Sequence, residues 1–296
     1  MDCKSVQLLL DAYRTGELAQ GDRRSVRIHV GRCPKCAKLL EESSEISEHA
    51  VTLKINAPVS LLGNLHALTG DQYGVVETVL GRIWLGFNQN GITMVDLRSP
   101  DKAAFEQGYV DRLGRYCRPG SVPARFTRAI ESAARGERLT KVSFSISGLP
   151  EFERNVLTHL TGIPRGEVRS YAWLAREAGS PGAVRAVGTV MAKNPIPLLL
   201  PCHRVTPSIG GVGQYGYGES MKRELLEREG VSTIELEANA RQKIKYIGSR
   251  TTGIYCFPTC RDARRISWEN RLSFRNEKAA SEAGYRPCKH CRPLVA

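Results

Sequence analysis

The chain has 296 residues, 41% hydrophobic and 25% charged, the balance of a soluble globular protein with room for two or three domains. No apolar stretch approaches the ~20 residues of a bilayer span, and residues 1–30 are too dense in charge for a secretion signal, so no membrane partner and a cytoplasmic location are expected. The net charge of +13 points to an anionic partner, and it is unevenly spread: residues 241–296 hold 13 basic against 4 acidic side chains, whereas residues 151–240 hold 10 of each.

Seven of the nine cysteines lie near the two ends, which in a reducing compartment favours metal ligands over disulfides. Residues 1–42 read as a small helical module. "SVQLLLDAY" has helical apolar spacing, "GDRRSVRIHV" follows, and "CPKC" opens a third helix with Pro34 in its first turn. His29, Cys33 and Cys36, with Cys3 as a fourth donor, form a feasible zinc corner. The polar "EESSEISEH" leads into residues 43–71, read as a linker or a helix extension.

From residue 72 the pattern turns to strands, "YGVVETVL", "RIWLGF" and "GITMVDL", with "NQNG" predicting a hairpin turn between the last two. Helices are expected over about 100–117 and 122–136, and "KVSFSI" is placed to return to the sheet, giving an α/β unit over 72–147. In residues 148–235, "PRGEVRSYAWLAREAG" places Ser170 as an N-cap and Gly179 as a stop. "SPGAVRAVGTVMAKN" then predicts a 13-residue helix capped by Ser180, so that the pair forms a helix-turn-helix.

"NPIPLLLPCHRV" sets Cys202 and His203 in a proline-stiffened, apolar segment. A thiol of ordinary pKa about 8.5 needs a base, and His203 in turn needs an orienting acid, for which Glu229 in "KRELLEREG" is the candidate. "PCHRV", preceded by "RAVGTVMAKNP" and followed by "GVGQYGYGESMKRELLEREG", resembles the O6-alkylguanine-DNA alkyltransferase family over roughly residues 72–235. The loop "TPSIGGVGQYGYG" departs from the family at Pro207 and Tyr217. The resemblance implies a single-use transfer in which Cys202 takes the alkyl group from O6 of guanine in double-stranded DNA. It implies His203 as base through water, Glu229 as its support, Asn194 as the residue fixing the active-site turn, and Tyr171 as proton donor to the departing base. It also implies a recognition helix in the minor groove, with Arg185 filling the space of the flipped nucleotide and small residues Ala183, Ala186 and Gly188 allowing close approach.

At the far end, Cys256 and Cys260 are separated by three residues and Cys288 and Cys291 by two, a pattern suited to a closed tetrahedral zinc site. The strings "GSRTTGIYCFPTCRDARRISWENRLSF" and "EAGYRPCKHCRP" resemble the methyl-phosphotriester-accepting zinc domain of Ada-type response proteins, here over 242–296. That resemblance implies that Cys256 is ligand and second methyl acceptor together. "MDCKSVQLLLDAYRTGEL" with the His29 and Cys33 motif resembles the zinc-binding anti-sigma-factor domain, which would make a sigma factor a partner; a plain zinc knuckle is the other reading. The expectation is therefore a multi-domain α/β monomer that binds two zinc ions. It repairs alkylated DNA, or alternatively senses alkylation through its zinc modules.

Overall fold

The computed structural model describes residues 1–15, 18–52, 70–138 and 141–293, which divide into two compact units, 1–63 and 64–296. The first unit holds three helices: α1 (Cys3–Thr15), α2 (Gln20–Val30) and α3 (Pro34–Thr52). Val6, Leu10, Val26 and Cys36 form its small core. The polar stretch after residue 42 continues α3 as a helix extension, and of the expected linker 43–71, residues 53–69 lie outside the described residues.

The second unit opens with β1 (Gln72–Thr78), β2 (Gly81–Asn88) and β3 (Gly91–Asp96), followed by α4 (Lys102–Leu113), β4 (Arg118–Pro119) and α5 (Ala124–Ala134). The sheet order is β3-β2-β1-β4, antiparallel except for the β1-β4 pair. As the central hydrophobic strand, β2 is buried on both faces. Ile83, Leu85 and Phe87 join the main core, and Trp84 packs among Tyr73, Phe105 and Tyr109 on the other side. Gly86 is required there, because a Cβ would lie 2.5 Å from the Tyr109 ring. "KVSFSI" returns to the sheet only as a single parallel bridge, Ile92 to Phe144.

The chain continues through α6 (Glu151–Leu160), β5 (Arg169–Ser170), α7 (Tyr171–Glu177) and α8 (Val184–Ala192). Ser170 caps α7 by accepting from the Trp173 N–H at 3.1 Å, and Gly179 takes φ +74° in the turn that follows, as the sequence predicts. The second helix differs from expectation. It has nine residues and starts after Ala183, with no side-chain cap, so Ser180 and Pro181 belong to the turn instead. A 3₁₀ turn at Cys202–Arg204 leads into β6 (Val205–Thr206), which pairs in parallel with β5.

After α9 (Glu219–Arg228), helix α10 (Thr233–Arg241) occupies the segment in which the sequence suggests a boundary. It leads directly into β7 (Tyr246–Ser249), β8 (Ile254–Cys256), α11 (Arg261–Arg264), β9 (Arg271–Phe274), α12 (Glu277–Glu282) and β10 (Arg286–Pro287), with sheet order β10-β8-β7-β9. One core cluster runs from β1–β3 through α5 to α8 and on to Leu198, Leu199, Leu200 and Cys202. The sheet and the helices therefore position the cysteine jointly. Val95 N–H donates to the Pro195 carbonyl at 2.8 Å, and Arg112 donates to the Lys193 carbonyl and pairs with Glu153, both at 2.6 Å, which pins the proline-rich loop.

Candidate active site and metal centres

Cys202 is 5% exposed and His203 is 2% exposed. The loop before them is held by Asn194, whose amide donates to the Leu200 carbonyl at 2.8 Å and whose carbonyl oxygen accepts from Ile196 N–H at 3.0 Å. Leu198 sits in the left-handed region at φ +70°, part of the sharp path this loop takes. His203 Nε2 meets Glu229 Oε1 at 2.9 Å, which brings together the two residues that the sequence separates by 26 positions. His203 Nδ1 has no protein partner among the described residues, so it is the nitrogen able to take up a proton.

Arg204 also grips Glu229, at 2.8 Å to each carboxylate oxygen, and donates to the Ile163 carbonyl at 2.7 Å. Burial would raise the Glu229 carboxyl, but His203 and Arg204 outweigh it and hold it at about 2. Burial dominates the other two groups. It pushes the Cys202 thiol up, against hydrogen bonds from Asn194 and Tyr215 and the charge of Lys222, and it pushes His203 down despite Glu229. The site thus holds a neutral thiol and a neutral imidazole beside a fixed carboxylate, a set able to pass a proton from sulfur when an electrophile arrives.

Three participants were not singled out by sequence reasoning. Tyr215 places its hydroxyl 3.9 Å from the Cys202 sulfur, and burial holds the phenol well above its ordinary value. Lys222 is fully buried, donates to the Val205 carbonyl at 2.6 Å, and is lowered by burial to about 8. Arg204 is the third; it stands inside the quoted "PCHRV", as Tyr215 stands in "GQYGYG", but no local pattern separates either from a surface residue.

Cys202 opens onto a cavity of about 270 Å³ lined by Tyr171, Gly188, Met191, Ala192, Tyr215 and Gly216. A second, of about 240 Å³, is lined by Asp96, Arg98, Asn194 and Tyr217. The Tyr171 phenol is raised by burial and then by Cys202, so it stays protonated and able to donate. Arg185 and Ala186 are exposed on α8, Ala183 and Gly188 are partly buried, and a Cβ on Gly188 would meet nothing within 4 Å. Of these four residues, Gly188 lines the Cys202 cavity. Tyr217, a departure from the family loop, reaches Asp96 at 3.3 Å and lies under the Arg98 guanidinium at 4.8 Å.

Both predicted ligand sets converge. In the first unit, Cys3 Sγ lies 3.6 Å from His29 Nε2 and 3.7 Å from Cys33 Sγ, and Cys36 is within 4.8 Å of the other donors. The edge of a zinc–sulfur tetrahedron is roughly 3.8 Å, so the spacing fits the ion. His29 Nδ1 contacts the Met1 carbonyl at 3.1 Å, which orients the ring. In the second unit, Cys256, Cys260, Cys288 and Cys291 are all buried with their sulfurs within 4.8 Å of one another. Asp262 stands beside this cluster, 3.5 Å from Cys288 Sγ and 2.5 Å from His290 Nδ1. Both donor sets suit zinc. Cys256 lines a cavity of about 720 Å³ together with Thr251, Arg265, Asn270, Arg286 and Lys289.

The methylated-DNA–protein-cysteine methyltransferase of Methanothermobacter thermautotrophicus is 36% identical over 128 residues, 42% of this chain and 72% of that protein. The chain belongs to that family. A family model for the DNA-binding domain of 6-O-methylguanine DNA methyltransferase matches residues 151–231, one for the metal-binding domain of Ada matches 236–293, and a zinc-finger model matches 3–37. The family enzyme of Rattus norvegicus is 42% identical over 104 residues, and that of Mycobacterium leprae 47% over 79. The chain spans about half the length of each, 50% and 48%. Among solved structures, Mycobacterium tuberculosis O6-methylguanine methyltransferase aligns at 30% identity and a TM-score of 0.45, covering 54% of this chain and 92% of that one. No helix among the described residues is long and apolar enough to cross a membrane.

Proposed function

We propose that this chain repairs DNA by direct, irreversible transfer of an alkyl group from O6-alkylguanine to Cys202. The observation that carries the reading is a sheltered thiol next to a His203–Glu229 pair, opening on a cavity that Tyr171 and the small-residue face of α8 line. The thiol proton leaves to His203 through a bridging water, the sulfur forms a bond to the alkyl carbon, and the carbon–O6 bond breaks. Tyr171 passes a proton to the guanine as it gives up the alkyl group and is restored by the one taken from sulfur, so the step consumes one thiol and leaves one unmodified guanine in the DNA. The target must leave the duplex to reach Cys202, and Arg185, exposed on α8, takes the vacated place in the stack. Asn194 keeps the cysteine loop in register, and Ala183, Ala186 and Gly188 let α8 approach a groove.

The same reading takes residues 72–147 and 148–235 as the two domains of the alkyltransferase, 1–42 as a zinc module, and 242–296 as an Ada-type module. In the latter, Cys256 is a second acceptor, for methyl groups on backbone phosphotriesters. Zinc held by the four cysteines would supply the ionisation that keeps a sulfur nucleophilic there. This chain's own residues supply charge complementarity, since Arg265, Arg286 and Lys289 line the cavity that Cys256 shares. Peptide mass mapping after incubation with O6-methylguanine duplex, and separately with methyl-phosphotriester duplex, tests both acceptors. Each should add about 14 Da, one methyl in place of one hydrogen, at Cys202 in the first case and Cys256 in the second. Base-lesion binding with an unmodified Cys202 would defeat the repair assignment.

A further inference from the structure

The segment that carries Tyr171 is gripped by the loops that hold the C-terminal cysteines. Between Cys256 and Cys260, the Thr259 hydroxyl accepts from the Val168 N–H at 3.0 Å. Directly after Cys260, the Arg261 N–H donates at 3.0 Å to Glu167, a buried carboxylate that also holds Arg169 at 2.5 Å. Arg169 is itself 2% exposed, and its guanidinium lies 5.6 Å from the Trp173 ring and 5.1 Å from that of Phe257. At the other end of the cluster, the Trp173 indole N–H is shared between the carbonyls of Cys291 and Arg292, each at 3.0 Å. Arg176 donates to the Arg292 carbonyl at 2.6 Å and to that of Pro293 at 3.0 Å, and Arg292 returns to Glu177 at 2.6 Å.

These ties bear on one short element. Arg169 and Ser170 form β5, paired with β6 three residues beyond Cys202, and Ser170 caps α7, whose first residue is Tyr171. Buried, satisfied polar contacts in a low dielectric fix geometry strongly, and here they join the cysteine ligand loops to residues 167–169, just before Tyr171, and to Trp173, two residues after it. We propose that Arg169 and Trp173 are positioning residues through which the C-terminal cysteine cluster sets Tyr171 against Cys202. The proposal rests on reading Cys202 as acceptor and Tyr171 as proton donor. It makes the end module part of the transfer machinery for the base as well as a separate acceptor.

The test uses the full chain loaded with zinc and two variants, Trp173→Phe, which removes the indole N–H, and the near-isosteric Thr259→Val. Single-turnover kinetics on O6-methylguanine duplex separate the limiting rate from the half-saturating DNA concentration, and amide hydrogen exchange reads residues 167–177 independently of activity. The limiting rate should fall about 10-fold in Trp173→Phe, with the half-saturating concentration unchanged and exchange accelerated over 167–177. Thr259→Val should move both readouts in the same directions, and it decides the matter if Trp173→Phe does not fold. Because the effect passes through Tyr171, Trp173→Phe should add nothing on a Tyr171→Phe background. Equal slowing on both backgrounds, or unchanged rate and exchange in Thr259→Val, would overturn the proposal. Failure of the repair reading shows separately, as a wild-type chain that takes no methyl group on Cys202.

Discussion

The two cysteines proposed as acceptors are almost equally sheltered, Cys202 at 5% and Cys256 at 2% exposed, yet their surroundings prepare the sulfur by opposite means. Around Cys202 burial keeps the thiol protonated, and a neutral imidazole backed by a carboxylate stands ready to remove the proton only when the electrophile is in place. Around Cys256 three more sulfurs crowd within 4.8 Å, an arrangement that a divalent cation completes by holding the sulfurs ionised in advance. Activation on demand suits an electrophile buried in a flipped base. Standing activation suits one displayed on the DNA backbone beside Arg265, Arg286 and Lys289. On the proposed reading, one site is governed by proton transfer and the other by metal.

The sharpest break between the two is substitution of either sulfur. Cys202→Ala should abolish methyl removal from the base while leaving methyl uptake at Cys256 from phosphotriester DNA, both read by peptide mass. Next in size is Glu229→Gln, which leaves the His203 and Arg204 side chains buried against a neutral partner. Base repair should slow by about 100-fold or more in single-turnover assays. Denaturant melts should show a loss on the order of 3 kcal/mol. Because Glu229 is held at about 2, below its ordinary 4.5, its contribution to stability is fully present above pH 4.5 and lost as pH falls toward 2.

The pH profile of the rate sharpens the contrast further. Burial lowers His203 below 6.5, so the base remains unprotonated at neutral pH and the acid limb of base repair should lie below 6.5. An acid limb centred above 6.5 would show that His203 is not the group that titrates. The smallest expected effect belongs to Arg185→Ala, about 10-fold slower on duplex DNA and unchanged on the free modified base, since only the duplex demands that a nucleotide be flipped.

Much of this was legible in the sequence because the decisive features are local or fixed in chain order. Ser170 and Gly179 frame α7 through cap and turn chemistry that acts within a few residues, and the two cysteine pairs declare themselves by spacing. The start of α8 departs from the sequence expectation because Ser180 and Pro181, good first-turn residues, here close the preceding turn; the Ala183 N–H donates to the Ser180 carbonyl at 2.9 Å, and the helix begins only afterwards. What the sequence hid is tertiary. Arg204 shares Glu229 with His203 across 25 positions, Lys222 is fully buried on backbone carbonyls, and Trp173 reaches a carbonyl 118 residues away. No periodicity or spacing marks a lysine or an arginine as buried, because its partners, carboxylate or backbone oxygens, are contributed by other segments of the chain.

On the proposed reading the alkyl group moves directly from the base to one sulfur and stays there. Incubation of excess duplex carrying an isotopically labelled methyl on O6 of guanine measures it directly. Label should accumulate to one methyl per chain from this substrate, all of it on the peptide containing Cys202, with unmodified guanine left in the DNA. Label released to solvent, more than one base repaired per chain, or label on any other residue from this substrate would contradict it.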